Sequence, residues 1–156
     1  MRRIGSVLLG TLLLGGVCTA TVGTAAAAER RADVKLTAAP STVEVPAGKP
    51  GTVKLTYSNI GNVPKVGSSI TAPIPKGLTA TARPAPGWTC HIDDWPSLVC
   101  DTDGKLDPGA VVVPAEVDLS AAAPVSAGVE FGTLGFYRDP TENPADNYST
   151  VQVRVS

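Results

Sequence analysis

Gly87-Trp88-Thr89-Cys90-His91-Ile92-Asp93-Asp94-Trp95-Pro96-Ser97-Leu98-Val99-Cys100 is the stretch from which the rest of this chain is read. Two short alternating runs flank Asp-Asp-Trp-Pro, the composition of a turn between two strands. If Cys90 faces Cys100 across antiparallel arms, His91 opposes Val99 and Ile92 opposes Leu98, with Asp93 to Ser97 making the turn. Opposed residues of such a pair approach closely enough for a disulfide. Trp88, Cys90, Ile92, Leu98 and Cys100 then share one face aimed at a core, while Thr89, His91, Val99 and Asp101 point outward. Closing a loop of this size stabilises by about 2.5–3 kcal/mol on the chain-entropy account. Free or metal-bound thiols would need more ligands than one nearby histidine, so no metal site is expected here.

Outward from the hairpin the same period of two recurs. Val34 and Leu36 alternate with Lys35 and Thr37, and Val53, Leu55 and Tyr57 with Lys54, Thr56 and Ser58. Ile70, Ala72 and Ile74 follow, then Leu78, Ala80 and Ala82. Val111, Val113, Ala115, Val117 and Leu119 share one parity, and Val151, Val153 and Val155 close the chain. Such alternation marks strands with one face in a core and one in water. Fourteen prolines and sixteen glycines leave few windows for a helix. Many short strands between turns predict an all-β antiparallel sandwich of about seven to nine strands. Pro114 falls on the solvent parity of its strand and predicts an edge or a bulge there. Gly132 and Gly135 are expected to shift the register between Val129-Phe131 and Leu134-Phe136.

Residues 1–28 read as an export signal rather than as part of the fold. Arg2 and Arg3 form a charged start, Ile4 to Val17 an apolar run, and Ala25 to Ala28 a small-residue cleavage site before Glu29. The rival reading, an uncleaved membrane anchor, suffers from a short run broken by Gly10, Gly15 and Gly16. Val17 before Cys18 is wrong for lipoprotein processing, and Arg2-Arg3 is a poor twin-arginine match. Residues 29–156 are then a single secreted domain, in an oxidising compartment where a disulfide persists. It would carry eleven basic against fourteen acidic residues, a net charge of −3. That mild, unclustered balance argues against nucleic acid and against an anionic membrane as partners.

The motifs in order resemble the conserved Ig-like repeat domain of prokaryotic secreted and surface proteins, a family of unknown function. They are Ala32-Asp33, Pro46-Ala47-Gly48, Tyr57-Ser58-Asn59-Ile60-Gly61, and Pro75-Lys76-Gly77-Leu78. Gly87-Trp88-Thr89-Cys90 with Cys100, Leu106-Asp107-Pro108-Gly109, and Asp139-Pro140 followed by Asn143-Pro144-Ala145-Asp146-Asn147 complete the set. The resemblance spans residues 32 to 155 and implies an Ig-like sandwich of the bacterial cell exterior without known catalytic residues.

Candidate chemistry is sparse. His91 is the only histidine, and no Gly-x-Ser-x-Gly elbow accompanies it. Asp101-Thr102-Asp103-Gly104 with Asp107 hints at calcium, but the EF-hand register fails at Lys105, and a turn is the better expectation. The Asp139 to Asn147 segment reads as a solvated turn cluster. Trp88 is expected in the core beside the disulfide. Trp95, between Asp94 and Pro96 at the hairpin tip, either folds back over the sandwich edge or forms a recognition patch with His91, Asp93 and Asp94. The expectation is a monomeric, non-catalytic secreted interaction module without cofactors, whose partner is an extracellular protein or a cell-wall glycan. The alternative is a carbohydrate or small-ligand binder, which would need a concave pocket with convergent polar groups.

Overall fold

A computed structural model describes residues 30–133 and 144–156. In these the chain forms β1 (Val34–Ala39), β2 (Thr42–Val45), β3 (Gly51–Asn59), β4 (Lys65–Pro73), β5 (Thr79–Pro84) and β6 (Thr89–Ile92). Next come β7 (Ser97–Leu106), β8 (Val111–Val112), β9 (Ala115–Ser120), β10 (Val125–Thr133) and β11 (Tyr148–Val155), with a 3-10 turn at Pro144–Asp146 before β11. They pack as two sheets. One has the order β1-β3-β9-β5, with β8 also beside β3, and the other β2-β11-β10-β4-β7-β6. The sandwich is the architecture read from the sequence, with two differences. Eleven strands form among the described residues, because β2 (Thr42–Val45) was not foreseen and the run from Val111 to Leu119 is split into β8 and β9. The pairing is also not wholly antiparallel, since β2 runs parallel to β11.

The core follows the alternation. Val34, Leu36, Val53, Leu55, Tyr57, Val117 and Leu119 point inward from one sheet. Ile70, Ala72, Leu98, Cys100, Val129, Phe131, Val151, Val153 and Val155 meet them from the other. Full burial of each larger aliphatic chain contributes about 1.5–3 kcal/mol. Four turns share one device. Lys49, Leu78, Trp88 and Ala110 each donate their N–H to the carbonyl three residues back, and the third turn residue is glycine in each, at φ 75°, 93°, 83° and 77°. No other residue type adopts positive φ among the described residues, so these are type II turns, which require glycine at that place.

At one end of the sandwich Asn59 acts as a latch. It is buried, and its Nδ2 donates to the carbonyls of Val63 (2.8 Å) and Leu106 (3.0 Å), while its Oδ1 accepts from the Gly61 N–H. Gly61 is fixed by crowding, since a Cβ there would lie 2.4 Å from the Arg31 carbonyl oxygen. The Asn-x-Gly motif is therefore a structural knot that joins the N-terminal segment to β3 and β7.

Several expectations are corrected. Pro114 is buried, not on the solvent side. Lys54 pairs with Glu116 whereas Tyr57 pairs with Val112, so the strand slips by one residue across Val113-Pro114. A bulge suits a residue without an N–H, and the Pro114 carbonyl accepts from Ala85. The slip turns Val111 outward, so it leaves the core stripe. Gly132 does not shift the register, because β10 pairs with β11 without a break from Val125↔Val155 to Gly132↔Tyr148. Its lack of a side chain makes room for the Tyr148 ring, which a Cβ would meet at 2.7 Å. Leu134, Gly135 and Phe136 lie outside the described residues. Asp101 to Gly104 is not a turn but the continuation of β7. Asn147 is buried, and its carbonyl accepts from the Thr133 N–H, so the end of the supposed solvated cluster is part of the fold. Residues 139 to 143 of that cluster lie outside the described residues, as does the segment 1–28 read as an export signal.

Candidate functional site

The hairpin β6–β7 forms one side of the six-stranded sheet, and its register is the one its spacing implies. Cys90 pairs with Cys100, His91 with Val99 and Ile92 with Leu98, and the Cys90–Cys100 disulfide is formed. The turn is closed by two bonds between its ends. The Asp93 N–H donates to the Ser97 carbonyl at 3.1 Å, and the Ser97 N–H donates to Asp93 Oδ1 at 3.0 Å. A third contact ties the tip to the body, where the Pro96 carbonyl accepts from the Ile74 N–H at 2.7 Å. Asp94 and Trp95 are therefore carried on a loop braced on both sides.

Trp95 does not fold back. It is 84 % exposed, the most exposed of the large apolar side chains among the described residues. His91, Asp93 and Asp94 are also exposed around it. Asp93, Asp94 and Trp95 lie in the turn itself, whereas His91 lies within β6 opposite Val99, and Asp93 spends one carboxylate oxygen on closing the turn. Ile92 departs from its expected place. Its parity is inward, but it is 48 % exposed because β6 is the last strand of its sheet and, among the described residues, no further strand stands beyond it. Ile92 was missed as a surface residue because alternation reports which face a side chain takes, not whether a neighbour covers it.

Below the tip lies a second feature that sequence reading did not find. An open groove of about 630 Å³ runs between the turn Pro86–Thr89 and the β7 segment Asp101–Lys105. A small inner recess adjoins it, lined by Tyr57, Ser68, Leu106 and Val112. Trp88 forms the wall between the two. It is half-buried, with its ring set edge-on to Tyr57 at a centroid distance of 6.0 Å. The Tyr57 hydroxyl is 3.0 Å from Ser68 Oγ, and Thr102 Oγ1 donates to the Gly87 carbonyl at 2.6 Å. Residues far apart in sequence build this recess, so no local motif announces it. Lys105 at its rim pairs with Asp107 at 2.7 Å. Among the described residues no group of three His, Cys, Asp or Glu is placed to hold a metal ion.

A resolved electrostatic perturbation lies on the outer face of the other sheet. Arg83 on β5 bonds Asp118 and Glu116 on β9, and Thr52 donates to Asp118 at 2.6 Å. The hydrogen bond from Arg83, then that from Thr52, holds the Asp118 carboxyl below its usual value. The same bond to Asp118, with Glu116 second, holds the Arg83 guanidinium above its own. This cluster joins two strands across an exposed surface and borders no cavity described above.

No protein-family model and no curated protein sequence matches the chain. Solved structures do match. A chain of the type I cohesin–dockerin complex Coh-OlpC-Doc435 from Clostridium thermocellum is 12 % identical, with 85 % of this chain and 99 % of that one covered and a TM-score of 0.51. CaCohA2 from Clostridium acetobutylicum is 9 % identical over 81 % and 92 %, with a TM-score of 0.55. The CARDB domain of a Pyrococcus furiosus protein, solved with di-metal ions, is 14 % identical over 80 % and 89 %, with a TM-score of 0.50. At such identity the shared property is the fold. This chain is similar to these β-sandwich domains in the layout of its two sheets.

Proposed function

We propose that this protein is a non-catalytic, secreted Ig-like interaction module of the bacterial cell exterior that binds a protein partner through the tip of the β6–β7 hairpin. The observation that carries this reading is Trp95, a large rigid ring 84 % exposed on a loop braced by a disulfide and three backbone-anchored bonds. Leaving such a ring in water has no benefit for folding, whereas a partner that covers it gains area at little entropic cost. The export-type leader supports the location, because the disulfide suits an oxidising compartment. A non-catalytic role agrees with the hairpin chemistry. Both hairpin cysteines are consumed by the bridge, and His91 is exposed opposite Val99. Two of the similar structures are, by their descriptions, cohesin–dockerin complexes. Protein binding by a sandwich of this layout therefore has precedent.

A second reading rests on the groove beside Trp88, whose Thr, Asp and Lys rim and aromatic wall suit a sugar or another small polar ligand. One comparison separates the two. Affinity capture from bacterial surface extract with the domain 29–156, the Trp95→Ala variant and the Trp88→Phe variant should show a captured protein lost with Trp95→Ala and kept with Trp88→Phe. Capture unaffected by Trp95→Ala would remove the tip as the binding surface.

A further inference from the structure

The free edge of β6 carries main-chain groups that no described residue uses. The Asp93 N–H to Ser97 carbonyl bond makes Asp93↔Ser97 a hydrogen-bonded pair of the hairpin. Such pairs alternate along an antiparallel ladder. His91↔Val99 and Thr89↔Asp101 are therefore also bonded pairs, and Cys90↔Cys100 and Ile92↔Leu98 are not. The N–H and C=O groups of Cys90 and Ile92 consequently point away from β7, out of the sheet.

Edge strands are normally protected by charge or proline, because an open ladder invites pairing. Three of the four strands at the ends of the two sheets follow this rule. β1 carries Lys35 and runs into Pro40, β2 carries Glu44 and runs into Pro46, and β5 ends in Arg83-Pro84. β6, Thr89-Cys90-His91-Ile92, has no Lys, Arg, Asp, Glu or Pro. It is instead cross-linked to β7 by the disulfide, ends in the exposed Ile92 and is followed at the tip by the exposed Trp95.

The charge around this edge is of one sign. Residues 88 to 103 contain four aspartates and no lysine or arginine. Asp93 and Asp101 share the outer parity of Thr89 and His91, while Ile92 lies on the parity of the core. We infer that β6 accepts an extended segment of the partner protein as an added strand, and that this segment alternates basic residues with apolar ones. Its backbone bonds the outward groups of Cys90 and Ile92, its apolar residues continue the core face beyond Ile92 and against Trp95, and its Lys or Arg side chains take the acidic outer face. The inference rests on the hairpin-tip reading above and names how that tip binds.

The test uses the disulfide-bonded domain and three capped peptides. These are an alternating Lys-Val peptide, its Glu-Val counterpart, and the Lys-Val peptide N-methylated along its pairing edge. Amide exchange of the domain, followed by NMR, should show the Cys90 and Ile92 N–H groups slowed roughly tenfold or more with the Lys-Val peptide only. Ile92→Pro, which removes an outward N–H that makes no internal bond, should abolish that binding, whereas Ile92→Ala should weaken it only a few-fold. Equal protection by the Glu-Val or N-methylated peptide would overturn strand addition, as would absence of protection at Cys90 and Ile92 with the Lys-Val peptide. If Trp95→Ala still abolishes capture of the surface protein in that event, the tip remains a binding surface and only its strand-pairing mode is refuted.

Discussion

Trp88 and Trp95 stand seven residues apart on one hairpin and have opposite fates. Trp88, at the root, is half-buried against Tyr57 and walls the recess between the sheets. Trp95, at the tip, is almost wholly in water. The root lies over the opposite sheet, which supplies a surface to pack on. The tip extends past the β4–β7 pairing, which ends at Pro73↔Ser97, and is joined to the body there by the Ile74 N–H to Pro96 carbonyl bond. The same residue type thus stabilises the fold in one place and is available for recognition in the other.

The sharpest way to break this contrast is through the bridge that separates root from tip. Cys100 is fully buried, so Cys100→Ser loses the cross-link and sets a hydroxyl in the core. Unfolding by urea should show a loss of about 3 kcal/mol or more. The parent under reducing conditions should lose most of that amount. A loss below about 1 kcal/mol would mean that the root holds without its staple.

Next in size is Trp88→Ala, which uncovers Tyr57 and opens the recess. A loss of about 2 kcal/mol is expected, below the value for a wholly buried ring, because part of Trp88 already faces water. Trp88→Phe should recover part of it. A neutral Trp88→Ala would make the two tryptophans equivalent and erase the distinction.

An acid titration supplies a control remote from both rings. The Asp118 carboxyl is held below its unfolded value. Its extra stability is therefore present above about pH 4, the unfolded carboxylate value, and is lost as the pH falls from there through the lower folded value. Asp118→Asn should show a shallower decline in urea midpoint over that acid window and leave both Trp88 and Trp95 fluorescence unchanged. An identical decline in parent and variant would show that the Arg83 and Thr52 bonds do not persist in solution. Asp118→Lys, harmless on parity alone, would face Arg83 and should destabilise more than Lys54→Asp does.

The smallest effect belongs to Trp95→Ala, which should change stability by no more than about 0.5 kcal/mol. Its fluorescence in the parent should be quenched by the neutral quencher acrylamide far more readily than that of Trp88. A larger loss would place the tip against the body of the sandwich.

Alternation and turn chemistry, both local properties, carried most of the architecture. Val53-Leu55-Tyr57 and Val151-Val153-Val155 alternate because a strand turns successive side chains to opposite faces. The four type II turns announce themselves through glycine at the one place where positive φ is required. The Cys90–Cys100 pairing could be read because both partners belong to one hairpin, where spacing sets register. Coverage was different, being a property of neighbours from distant parts of the chain. That Ile92 is exposed, that Trp95 stays in water, and that Trp88, Tyr57, Ser68 and Lys105 enclose a recess depend on which strands end each sheet and which strand crosses behind. The slip at Val113-Pro114 had the same origin, since it was settled by the pairing of two segments with β3 at different registers. Parity is fixed by the backbone of a single strand, whereas burial is decided by what the other sheet places against it.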